Sequence, residues 1–548
     1  MSRTLARLAV LVALLLIAAC RGRSPAATAP SAEPAPTIAA TLPAAPATTV
    51  PQATTTDPPT VAMPSPAATE PTSLGPFPAP ALFVDDWDVR SDFAPGLVAS
   101  AQGVLDELPL ATVYHMDVRI DQSLALLEGM QELRYANAED VALEELYFRL
   151  YPNLMGGAIA VEELLVNGVP VTPGYELAAS ALRVPLPVPL QPGEQVVLRL
   201  EFTVTVPQGE GGGHYGTFIL DEEILALAHF YPIVAVYDDE GWNLEIPPEG
   251  GDMVYSDSAF YRVRVTAPAG LTLAASGVAI SSESDGRQQE VTYVAGPMRD
   301  FYLVASERFG RTSQTVGETE LHSYTYPGLM AAGEYVLETA AAALKTYERY
   351  FGPYPFTELD LASTPTLALG VEYPGIVVNA LRMYDPSNRT YTPVMLESTT
   401  AHEVAHQWFY STVGNDQLDE PWIDEALAQF STMLYFEDAY GAEGRNGYRE
   451  SLLGRWQRVD LEPVPVGMPV AAYSGAEYGA IVYGRGPLFF EALEEEIGAE
   501  AFAQFLRDFY ETHTWGIATT ESLQATAEAA CDCDLEALFA EWIYAEDS

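Results

Sequence analysis

Between about Phe83 and Ser306, apolar and polar residues alternate along the chain. Leu198, Leu200, Phe202, Val204 and Val206 are interleaved with Arg199, Glu201, Thr203 and Thr205, the period of a strand with one buried face. Asn167-Gly168 and Pro192-Gly193 supply turn chemistry between such runs. The pattern predicts a predominantly β region. From about Phe309 the apolar spacing becomes helical. The first stretch, Glu334 to Tyr350, ends at the breaker Phe351-Gly352-Pro353. Asp424 to Tyr440, Pro487 to Ile497, Glu500 to His513 and Asp534 to Ala545 follow, with Gly or Asp at their boundaries. Short apolar runs at Glu358 to Ala362 and Gly375 to Leu381 predict strands inside this second, α+β unit. There is no internal repeat.

The start of the chain follows other rules. Arg3 and Arg7 precede an apolar run from Leu8 to Ala19, shorter than the ~20 residues a membrane-spanning helix needs, so an export signal is expected. Ile17-Ala18-Ala19-Cys20 resembles the lipobox of bacterial lipoproteins, which implies a lipidated Cys20 and an extracytoplasmic protein anchored to the bacterial cell membrane. From Arg21 to about Pro80 the composition collapses to Ala, Pro, Thr and Ser, a spacer that cannot build a core. The expected organisation is therefore a signal peptide at 1–20, a disordered linker at 21–82, a β-domain at 83–308 and an α+β domain at 309–548.

Composition narrows the partners. The 548 residues are 48% hydrophobic and 11% aromatic, enough for globular cores despite a formal net charge of −50. That field repels nucleic acid and anionic lipid. Beyond Cys20 only Cys531 and Cys533 remain; one intervening residue is not zinc-ligand spacing and allows at best a strained disulfide.

The chemistry concentrates in His402-Glu403-Val404-Ala405-His406. Two histidines four apart on a helix project from one face and can share a metal ion. Zinc needs a third protein ligand, and Glu425 follows His406 after eighteen residues, at the start of the next predicted helix. A loop around Gly414 to Pro421 can return that carboxylate over the histidine pair, leaving the fourth position to water. Glu403, beside a ligand but unable to point with it, is the candidate general base. The other histidines, His115, His214, His229, His322 and His513, read as structural or exposed.

The His-Glu-x-x-His motif with a glutamate after eighteen intervening residues resembles the aminopeptidase N family of thermolysin-like zinc peptidases. Gly370-Val371-Glu372-Tyr373 lies where that family has its Gly-x-Met-Glu-Asn exopeptidase motif, with Leu369, Val371 and Tyr373 departing from it. Val482-Tyr483-Gly484-Arg485-Gly486 resembles the family's Val-Tyr-x-Lys-Gly segment, and Trp515-Gly516-Ile517-Ala518-Thr519-Thr520 with Glu541-Trp542 resembles the end of its catalytic domain.

The resemblance implies an N-terminal all-β, saddle-like sandwich domain packed on a thermolysin-like α+β catalytic domain. It implies one zinc ion per chain on His402, His406 and Glu425, and Glu403 as base in hydrolysing amino-terminal residues from peptides. Glu372, with Gly370, would bind the substrate's free α-ammonium; Tyr483 would stabilise the oxyanion. Glu223, nine residues before Pro232, would help hold the amino terminus. Because the sequence stops soon after Trp542, no large C-terminal helical domain is expected. Two other readings stay open: an endopeptidase of the same fold in which Glu372 selects no free terminus, and a surface lipoprotein that binds without turnover.

Overall fold

Along Gln195–Thr205 every second side chain is buried, as the alternation predicts, and the strand takes a central place in an eight-stranded sheet. Its neighbours are Leu126–Ala136 and Ala158–Val166, both antiparallel. Leu198, Leu200, Phe202 and Val204 enter the core from this strand. Asn167-Gly168 turns Ala158–Val166 into Val169–Pro170 with both residues at positive φ. The computed structural model describes residues 82–83, 87–209, 213–248 and 250–544, all within one compact unit, Thr72–Ser548. The expected signal segment, Cys20 and the spacer up to Ala81 lie outside the described residues.

Two four-stranded sheets and a two-stranded one, Tyr237–Asp238 with Gly241–Trp242, complete the β region. One of them, built from Thr272–Ala275, Leu303–Ser306, Ile224–Leu227 and Phe218–Asp221, packs through Ile219, Ile224, Tyr302 and Val304 on Tyr324, Ala362, Ile376 and Val378 of a fifth sheet. That sheet begins at Gly310 and has five strands in the order Gly310–Val316, Thr319–Thr325, Glu358–Thr364, Ile376–Ala380 and Gly370–Val371. The three inner strands run parallel and the two edges antiparallel. Helix Met330–Tyr350 covers the opposite face, and Gly333 lets it approach closely: a Cβ there would lie 2.9 Å from the Thr325 methyl.

The expectation that the chain lacks a large C-terminal helical domain is overturned. From Pro393 to Cys531 the chain is dominated by helices, among them Pro393–Ala405, Trp422–Tyr440, Ala442–Trp456, Gly486–Ile497, Ala499–His513 and Thr520–Cys531. Counting only what could follow Trp542 missed a helical body that lies before it. Phe430, Phe489, Phe490, Phe502 and Phe505 fill its interior, so the helices bury their apolar faces chiefly on one another. Ala442–Trp456, with few apolar residues in its sequence, was not expected as a helix. Cys531 and Cys533 are joined in a disulfide. Among the described residues no helix is long and apolar enough to cross a membrane.

One buried cation ties the β region to the helical body. Arg299 is 1% exposed and donates to the carbonyls of Ser256 at 2.9 Å and Tyr410 at 2.8 Å, and also to that of Gly516. Gly414 makes the approach possible, since a Cβ there would sit 2.1 Å from Arg299 Cζ. The loop between the two ligand-bearing helices is thereby shaped from outside itself.

Candidate metal centre

Helix Pro393–Ala405 starts at Thr392, whose Oγ1 accepts from Met395 N at 3.2 Å, with Pro393 at the first helical position. It delivers His402 and Glu403 from its last turn and His406 just past it. The loop after His406 is held by Gln407, which receives Gly375 N at 2.9 Å and donates to Tyr373 O at 3.1 Å. Glu425 occupies the first turn of Trp422–Tyr440.

These elements converge. His402 Nε2 and His406 Nε2 are 3.3 Å apart, and Glu425 Oε2 lies 3.1 Å from the first and 3.5 Å from the second. Ligand atoms on a tetrahedral zinc at the usual bond lengths are about 3.4 Å from one another. All three side chains are buried, and Glu425 Oε2 has no hydrogen-bond partner. A buried carboxylate oxygen without a donor, facing two imidazole nitrogens, is a donor set that fits a zinc ion. His406 Nδ1 is 3.0 Å from Phe409 O, so a proton there fixes the tautomer that leaves Nε2 free to ligate.

The carboxylates around the histidines make the site strongly negative. Burial opposes protonation of His406, but the charges of Glu372 and Glu425 prevail and hold its imidazole well above the usual range. His402, with burial dominant, is shifted down. Burial would raise Glu425, but the two imidazoles close to it hold it well below. Glu403 is pushed well up by burial and then by the charge of Glu372.

Glu372 follows the edge strand Gly370–Val371 and is only 6% exposed; its carboxylate, that of Glu403 and His406 present atoms within 4.8 Å of one another. The solvent-facing edge glutamate that such a strand could have carried is not what is found. Tyr373 anchors this segment by stacking on Tyr302 with centroids 3.9 Å apart. Gly370 lies against Glu403: a Cβ there would be 2.2 Å from Glu403 Oε1.

Tyr483 sits on a π-helical turn, Ile481–Arg485, and donates its hydroxyl hydrogen to Glu425 Oε1. Gly486 lets this turn close on the helix carrying Glu425, since a Cβ there would meet that of Ala426 at 2.8 Å. Glu223 is not brought to the site. It lies exposed in the turn between Phe218–Asp221 and Ile224–Leu227, 3.6 Å from Arg308.

Two participants, Gln417 and Asp252, carried no sequence signal. Gln417 donates to Asp424 Oδ2 at 2.7 Å and to Glu372 Oε1 at 3.2 Å. Asp424 also accepts from Asn415 at 3.0 Å; burial and the charge of Glu425 push it up to about 7. Asp252, from the β region, lines the same cleft of about 440 Å³, and burial with the charges of Glu372 and Glu425 raises it well above the carboxylate range.

A helix-borne histidine pair, a glutamate from the next helix and a carboxylate beside them on a mixed sheet with an antiparallel edge strand are arranged as the resemblance to thermolysin-like zinc peptidases implies. Residues 335–542 match the Peptidase family M1 domain, so this part of the chain is similar to the aminopeptidase N, or M1, family of zinc metallopeptidases. Aminopeptidase M1-B of Oryza sativa subsp. japonica is 26% identical over 305 residues, covering 52% of this chain and 34% of that protein. Aminopeptidase M1 of Arabidopsis thaliana is 24% identical over 408 residues, covering 69% and 45%. The chain thus spans less than half the length of these relatives. An M1 zinc metallopeptidase from Deinococcus radiodurans superposes with a TM-score of 0.58 at 22% identity, covering 80% of this chain and 95% of that one. A mutant of the same enzyme, solved with a Tyr-Ser-Ala substrate, gives 0.58 over 80% and 96%. At this identity the superposition speaks for the fold.

Proposed function

We propose that the chain is a zinc-dependent aminopeptidase that removes amino-terminal residues from peptides, with one zinc ion held at this centre by His402, His406 and Glu425. The observation that carries the reading is the burial of Glu372 beside Glu403 and His406. A carboxylate fixed there favours a substrate with a positive charge one residue before the scissile bond, which is a free α-ammonium. Zinc at the centre would supply a Lewis acid that polarises the peptide carbonyl and lowers the pKa of water beside it. Glu403 takes the proton of the attacking water on a carboxylate oxygen and returns it to the leaving nitrogen. Tyr483, oriented through Glu425, is the hydroxyl donor for the developing oxyanion. Residues 83–308 are read as the domain that closes the cleft from one side, and 309–548 as the catalytic domain.

The Arg3-to-Cys20 pattern supports export and anchoring through a lipidated Cys20 at the extracytoplasmic face of the membrane. Radiolabelled lipid should enter the wild-type chain and not Cys20→Ala; labelling of both would remove the anchor.

Hydrolysis of alanyl and leucyl fluorogenic amides, free and N-acetylated, with Glu403→Gln as the blank, tests the activity. Cleavage of the free amides alone is expected. Equal cleavage of the acetylated forms would identify an endopeptidase, and no cleavage by zinc-loaded protein would leave a binding protein.

A further inference from the structure

Away from the cleft, a second group of ligand-type side chains lies on the five-stranded sheet. His322 of strand Thr319–Thr325 stands opposite Asp360 of the parallel neighbour Glu358–Thr364, and Glu320 stands opposite Glu358. Side chains alternate along strands, so these four share one face, the face that also carries Tyr324 toward the β region. Nitrogen and oxygen atoms of His322, Glu358 and Asp360 all lie within 4.8 Å of one another.

The distances are informative. His322 Nε2 is 3.6 Å from Glu358 Oε2 and 3.7 Å from Glu320 Oε2. Both exceed the ~3.2 Å limit of a good N–H···O hydrogen bond, yet both are near the ~3.4 Å between ligand atoms that share a tetrahedral zinc. The ring's other nitrogen, Nδ1, is 2.7 Å from Ser313 Oγ, on the strand paired across from it. A proton on Nδ1 donated to Ser313 turns the Nε2 lone pair toward the carboxylates, the arrangement in which an outer hydrogen bond orients a ligating histidine.

The independent observation is Asp360. It is 1% exposed, and its Oδ1 has no hydrogen-bond partner. A buried carboxylate oxygen left without a donor costs on the order of 1–3 kcal/mol unless a cation meets it. Arg311 acts on Asp360 and Glu358 through space, but its own bond is to Tyr324. Burial and the charge of Glu358 hold Asp360 well above the carboxylate range in the absence of such an ion.

We propose that His322, Glu358 and Asp360, with Glu320 closing the fourth position from the surface, form a second, structural zinc site. One imidazole with three carboxylates suits zinc better than calcium or magnesium, which take oxygen ligands. Four protein ligands would leave no position for substrate. The ion would pin the hairpin Gly310–Thr325 to strand Glu358–Thr364, where the catalytic sheet meets the β region.

The test counts zinc in the full-length chain after chelator stripping and reloading, by elemental analysis. The His402→Ala/His406→Ala chain, deprived of the catalytic ligands, is expected to keep one equivalent and to gain several degrees in Tm when zinc is added. Adding His322→Ala should abolish both effects. His322→Ala alone should keep the catalytic equivalent, which reports that it folds; Asp360→Asn is the alternative variant if it does not. A His402→Ala/His406→Ala chain that folds but binds no zinc would overturn the proposal, as would an equivalent that survives loss of both His322 and Asp360.

Discussion

The hydroxyl of Tyr483 donates to Oε1 of Glu425, whose other oxygen, Oε2, faces His402 Nε2 at 3.1 Å and His406 Nε2 at 3.5 Å. One carboxylate therefore spans the candidate metal position and the candidate oxyanion donor. A catalytic hydroxyl held in this way is pre-oriented, and moving to substrate costs it the bond to Glu425. Tyr483→Phe removes the donor and leaves all three ligands, so hydrolysis of leucyl amide should fall by about 10²–10³ in kcat with KM little changed. Zinc content, measured on the same sample, should stay at the wild-type level. A variant that loses zinc in proportion to activity would assign Tyr483 to metal retention instead.

Gly370 and Glu403 are in contact at the edge strand, and a Cβ at 370 would stand 2.2 Å from Glu403 Oε1 and 2.5 Å from its Cδ. No pair of non-bonded heavy atoms tolerates that, so in Gly370→Ala the carboxylate must swing away from where it can reach the attacking water. Turnover should drop by roughly 10² or more, the scale of a displaced general base. Cobalt substituted for zinc should give the wild-type visible spectrum, because the ligands have not moved. Wild-type turnover in this variant would show that Glu403 has another productive position.

The histidine pair was legible because its spacing is a property of one helix, and the strand Gln195–Thr205 because its period is a property of one strand. Helix ends fell within a few residues for the same reason: Asp424 to Tyr440 was expected and Trp422–Tyr440 is found. What joins distant segments left no such trace. Nothing in Asn415-Asp416-Gln417 announces that Gln417 will bridge Asp424 and Glu372, or that Asp252 will arrive from the β region. Arg299 reads as one more charged residue until its guanidinium is seen to donate to the carbonyls of Ser256, Tyr410, Thr412 and Gly516. The helical body was misjudged for a different reason. Its size was inferred from where the chain stops, while its substance lies in the faces of Trp422–Tyr440 and Gly486–Ile497, which bury Phe430 and Phe490 against each other.

Gln417 offers a way to test Glu372 without touching its charge. Its amide holds Glu372 Oε1 at 3.2 Å and Asp424 Oδ2 at 2.7 Å, so Gln417→Leu frees the candidate amine anchor and leaves Asp424 with the bond from Asn415. A hydrogen bond to a charged group is worth about 1.5–3 kcal/mol, which sets an expected loss of about tenfold or more in kcat/KM. The loss should appear mainly in KM and only for substrates with a free amino terminus. An equal loss on acetylated substrates would mean that Glu372 does not read the terminus.

Acid sensitivity should have a contributor far from the site. His115 is 4% exposed and stacks on Trp87 with centroids 4.2 Å apart. Burial first, and then the charges of Arg262 and Arg134, push its imidazole down to about 3 from the ordinary 6.5. The unfolded chain takes up a proton there that the folded chain refuses, so the stabilisation is complete above pH 6.5 and is lost as pH falls toward 3. Between pH 6.5 and 5 the loss approaches ~1.4 kcal/mol per pH unit. His115→Phe keeps an aromatic ring against Trp87 and cannot titrate. Urea unfolding at pH 7 and pH 5 should therefore show the wild type losing roughly 2 kcal/mol more than the variant over that interval. Parallel losses in the two proteins would mean that the folded state admits the proton, and that the pocket of Trp87 and His115 opens well before the chain unfolds.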